Sequence, residues 1–119
     1  MLRSLRMAAL FAFLLLLFTG IYGFATDIGT YRIPERVDYA GVAVEPGMYM
    51  IQIVDGAEGP YLQLSKGGNV VAKDLAIVIP ARGTGRTAVQ IARITGQEFL
   101  RIRVRSGENW YYAYLERKH

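Results

Sequence analysis

The chain has 119 residues, 52% of them hydrophobic and 20% charged, with a formal net charge of +4. It contains no cysteine and a single histidine, His119. Disulfide frameworks, cysteine nucleophiles and thiolate metal sites are thereby excluded, and a Ser-His-Asp arrangement or zinc cluster would have one terminal imidazole to draw on.

Arg3 and Arg6 precede an unbroken apolar run over 7–18, and Gly23-Phe24-Ala25 forms a small-x-small site. This order of positive, apolar and small-residue segments predicts a secretory signal at 1–25, cleaved after Ala25. A spanning helix needs about 20 apolar residues, so an uncleaved signal-anchor helix through residues 7–25 is the alternative. Either way the remainder, read as one domain over 27–119, is expected outside the cytoplasm. It would be periplasmic or extracellular, or membrane-anchored. Loss of Arg3 and Arg6 leaves 12 basic and 10 acidic residues, a net charge of +2. The residual basicity is uneven: residues 26–79 hold seven acids and four bases, whereas 80–119 hold three acids and eight bases.

Beyond Ala25 no stretch repeats apolar residues at helical spacing. Short runs rich in Val, Ile and Tyr alternate instead with Gly, Pro and Asn. The expected fold is all-β: a small antiparallel sandwich or partly open barrel of about seven to nine short strands, preceded by the signal or anchor helix. The predicted strands are 31–37, 42–44, 48–54, 61–65, 70–73, 75–79, 87–94, 98–105 and 110–116. Pro34 lacks a ladder donor and confines the first to an edge. Runs 48–54 and 75–79 are apolar on both parities, which predicts central strands covered on both faces. Glu45-Pro46-Gly47 suits a type II turn and Lys66-Gly67-Gly68-Asn69 a tight hairpin. Residues 81–86 read as a flexible connection, since their glycines and arginines lack the lysine and following helix of a phosphate loop.

The last two hairpins carry the most specific expectation. A two- or four-residue loop within 106–109 pairs Arg105 with Trp110, Arg103 with Tyr112 and Arg101 with Tyr114. Val104, Ile102 and Leu100 then share the opposite face with Tyr111, Ala113 and Leu115. A loop longer or shorter by one would set apolar against charged positions, which the burial of one face forbids. The preceding hairpin adds Ala88, Gln90 and Ala92 to the arginine face. Guanidinium forks hold phosphate or carboxylate, and aromatic rings stack on sugars. The expected function is therefore a non-catalytic binding module. Arg101, Arg103, Arg105, Trp110, Tyr112 and Tyr114 would meet an anionic glycan, a lipid head group or a partner protein. Cross-strand Arg-aromatic pairs also stabilise a sheet with no ligand at all, and a structural or assembly role, with homo-oligomer contact through this face or the 31–37 edge, is the alternative.

Other constellations are weaker. Asp55 and Glu58 fall short of a calcium ligand set, so no metal and no cofactor is expected. Glu35, Asp38, Glu45, Asp55 and Glu58 lie in or near turns, with nothing in the sequence to place two of them across a cleft for carboxylate-dependent hydrolysis. Export disfavours nucleic acid as a partner, and membrane contact is expected only through residues 7–25 if the signal is retained.

Overall fold

The computed structural model describes residues 25–83 and 85–118, so the expected signal segment, Ala25 apart, lies outside the described residues. Ten strands and no helix make up the described chain: β1 (Ala25–Ile33), β2 (Val37–Tyr39), β3 (Val42–Val44), β4 (Gly47–Gly56), β5 (Gly59–Lys66), β6 (Asn69–Leu75), β7 (Ile77–Pro80), β8 (Ala88–Arg93), β9 (Phe99–Ser106) and β10 (Asn109–Arg117). They form two antiparallel sheets in a sandwich-like arrangement that does not close into a barrel. The first has the order β1-β4-β5-β6 and the second β3-β2-β10-β9-β8. β7 joins the second sheet by pairing with residues 109–112 of β10, while β2 pairs with Glu116 and Arg117 farther along the same strand.

Period-2 alternation supplies the core. Tyr49, Ile51 and Ile53 on β4 and Leu62 and Leu64 on β5 are buried, as are Leu100, Ile102 and Val104 on β9 and Ala113 and Leu115 on β10. Tyr39 ties the layers together: its ring is buried, and its hydroxyl donates to the Leu62 carbonyl at 2.7 Å, from the second sheet to the first.

Four expectations need correction. The run 31–37 is two strands in different sheets, because β1 ends at Ile33 and Pro34 begins a crossover to β2. Proline removes a donor and biases the residue before it, so it marks the break between sheets instead of an edge position within one strand. The hairpin that follows turns at Ala40-Gly41, with φ of 53° and 79°, the paired positive values of a type I′ turn. Gly47 has φ of 155°, not the roughly 80° of a type II turn, so Glu45-Pro46-Gly47 is a bend leading from β3 into β4. β4 is central between β1 and β5 but covered on one face only, since Met48 on its outer side is 49% exposed.

The fourth correction is the largest. Residues 75–79 are not a buried central strand. Leu75 ends β6, the chain crosses sheets at Ala76, and β7 lies at an edge with Ile77 54% and Ile79 46% exposed. An apolar run reads the same whether neighbouring strands cover it or not.

A cluster of charge fastens the Pro34 crossover. Glu35 pairs with Arg117 at the end of β10 and with Arg93 at the end of β8, the latter at 2.7 Å. The hydrogen bond from Arg117 is the chief cause that holds the Glu35 carboxyl below its ordinary pKa, against the opposing effect of partial burial. A carboxylate whose folded pKa is depressed contributes stability that is fully present above its ordinary value of about 4.3 and is lost as pH falls through the folded value. Glu35→Gln is therefore expected to remove part of the acid sensitivity. Urea midpoints compared at neutral and acidic pH should fall less in the variant than in the wild type, and equal falls would refute the assignment.

Candidate functional site

The register of the last hairpin is the one its alternation predicts. Trp110 faces Arg105, Tyr112 faces Arg103 and Tyr114 faces Arg101. β8 completes the rows, with Ala88 beside Arg105, Gln90 beside Arg103 and Ala92 beside Arg101. Burying Leu100, Ile102 and Val104 forces the intervening arginines outward, because neighbouring side chains on a strand point to opposite faces. All six predicted site residues thus share one outer face.

Their roles differ. The Arg103 guanidinium lies 4.4 Å from the centroid of the Trp110 ring, reaching diagonally to it, whereas Arg101 lies 5.9 Å from that of Tyr112. Arg105 is held by the loop that follows β7. Its Nη2 donates to the carbonyls of Arg82 at 3.1 Å and Gly83 at 2.9 Å. Gly85 lies against the same guanidinium, where a Cβ would come within 2.4 Å of Arg105 Cζ. The predicted flexible connection is therefore fastened to the sheet, and Arg105 acts as its clasp. Among the described residues, the head groups of Arg101 and Arg103 make no such bond, and the Nε atoms of all three arginines are buried without a hydrogen-bond partner.

Among the described residues no ion pair includes Arg101, Arg103 or Arg105. Glu35, Asp38 and Glu45 are matched with Arg93 and Arg117, Lys118, and Arg36 respectively. The three arginines are therefore left without an ion-pair partner among the described residues, while Glu116 and Asp38, on the same outer face beyond Tyr114, share Lys118.

Two contributors to the face were not foreseen. Ile79 pairs with Trp110 and Ile77 with Tyr112, which adds an aliphatic strip beside the aromatic one. Phe99 meets Tyr114 edge to face with ring centroids 6.4 Å apart. The parity of the run 98–105 already places Phe99 with the arginines. No local signal places β7 beside β10.

The outer face of the first sheet carries a shallow hollow of about 480 Å³ lined by Met48, Met50 and Val70 around polar side chains. Gln52 donates to Asp27 at 2.6 Å, and its carbonyl accepts from Gln63 at 2.8 Å and Ser65 at 2.9 Å. These groups largely satisfy one another, so the hollow offers a ligand fewer vacant partners than the arginine face does. Among the described residues no three His, Cys, Asp or Glu side chains gather where a metal ion would sit.

The chain matches no protein-family model, no curated protein and no solved structure.

Proposed function

We propose that this protein is a non-catalytic, exported binding module whose β10-β9 face takes an anionic glycan or lipid head group. One observation carries the reading. Arg101 and Arg103 lie over aromatic rings on a sheet face where they have no carboxylate partner among the described residues. Stacking restrains a guanidinium, and with Nε buried the two Nη groups form the end-on fork that a phosphate or carboxylate matches in a bidentate manner. Ala92 leaves room beside Arg101 for a ligand to approach, and Gln90 beside Arg103 adds a polar side chain.

Arg101→Gln/Arg103→Gln is the discriminating variant, since it spares the Arg105 clasp. The full chain in non-ionic detergent would be applied to immobilised polyphosphate and lipopolysaccharide and eluted with salt. A charge-assisted hydrogen bond contributes about 1.5–3 kcal/mol, so affinity should fall at least about tenfold for each arginine removed. Unchanged retention of the double variant at low salt would refute the site.

A further inference from the structure

Across the second sheet the side chains of one face change character strand by strand. β7 presents Ile77 and Ile79, β10 presents Trp110 and Tyr112, and β9 presents Arg103 and Arg105. Aliphatic, aromatic and cationic strips therefore follow one another in order from the sheet edge inward. β7 is itself exposed on both faces, with Val78 on the other side 39% accessible. An exposed, uncharged apolar edge is a liability in water unless it meets a partner.

We infer that the partner is the surface of an anionic lipid bilayer, met edge-on by β7. This rests on the anion-binding reading of Arg101 and Arg103 and names the form in which the anion is presented. Neighbouring strands stand about 4.8 Å apart, so the arginine strand lies about 10 Å from the isoleucine strand. Amphipathic elements seat their apolar side about 5–10 Å into the boundary between head groups and acyl chains, a comparable depth. With Ile77 and Ile79 at the top of the acyl layer, Trp110 and Tyr112 fall where amphipathic rings concentrate, and Arg103 falls at the phosphates. The open backbone edge of β7 limits insertion, because unpaired peptide groups are costly deeper in hydrocarbon. A face-to-face two-fold contact over the arginine rows would bring like charges together, whereas an anionic surface complements them. An edge-to-edge contact of β7 with a second copy is the outcome that the concentration dependence below detects.

Trp110 is the chain's single tryptophan and lies within the proposed contact, so its emission reports on this face. The dependence on anionic lipid and on Ile77, Ile79, Arg101 and Arg103 separates this contact from tethering by residues 7–25. The full chain would be reconstituted with vesicles of phosphatidylcholine alone or mixed with phosphatidylglycerol, in each case with a brominated lipid as quencher. The expected result is a blue shift and quenching in the anionic vesicles only. Both should be lost in Ile77→Gln/Ile79→Gln and in Arg101→Gln/Arg103→Gln. An equal response in both vesicle types would overturn the inference, as would a concentration-dependent shift without vesicles, which would mark self-association. If vesicles leave Trp110 unquenched but soluble polyphosphate shields it from acrylamide, the bilayer reading falls and the anion-binding reading stands. If neither probe acts on Trp110, both readings fall.

Discussion

Replacing Tyr39 with alanine is expected to lower the free energy of unfolding by about 3–5 kcal/mol, the range for deleting a fully buried aromatic side chain. Tyr39 stands on the three-residue strand β2, where it and Val37 are the two buried side chains that pack into the core between the sheets. Its ring fills the space between the layers, and its hydroxyl satisfies the Leu62 carbonyl across them. Tyr39→Phe keeps the ring and removes one buried hydrogen bond, and should cost about 1–2 kcal/mol. Burial, with the Asp74 charge as a lesser cause, pushes the Tyr39 hydroxyl well above its ordinary pKa, so it stays a donor into alkaline conditions. Chemical unfolding of both variants decides the matter. Equal losses for Phe and Ala would show that the ring does not fill the interlayer space.

Neighbouring residues on β9 should respond in opposite ways. Ile102 is fully buried and pairs with Ile91 and Ala113, whereas Arg103 faces outward between Gln90 and Tyr112. Ile102→Ala should cost about 2–5 kcal/mol of stability through the cavity it leaves. It should not alter the salt at which the folded protein elutes from polyphosphate. Arg103→Gln should change stability by no more than about 1 kcal/mol, the scale of an exposed cation-π contact, and should elute at lower salt. Unfolding curves and column retention measured on the two single variants test the register directly. A one-residue slip would exchange the two phenotypes.

The alternation over 98–116 together with the turn at Gly107-Glu108 made this register legible, because a one-residue slip would part Leu100, Ile102 and Val104 from Ala113 and Leu115. Arg101, Arg103, Arg105, Trp110, Tyr112 and Tyr114 follow as the complementary set, so the composition of the face was readable before its surroundings were known. The hairpin at Gly67-Gly68 was equally legible, since Lys66 and Asn69 pair across two residues with positive φ. Ala40-Gly41 was not, because alanine at positive φ carries none of the usual turn chemistry.

The sequence by itself determined the all-β class and the two-faced final hairpins, since strand periodicity and turn chemistry act between residues close in the chain. Only the tertiary structure decided that Arg105 clasps the loop after β7 and that β7 lies uncovered beside Trp110 and Tyr112. The physical reason is the same in both cases. Arg105 meets carbonyls 22 and 23 positions away. Whether Ile77 and Ile79 are buried depends on which strands assemble around them, and the two sheets leave that edge open.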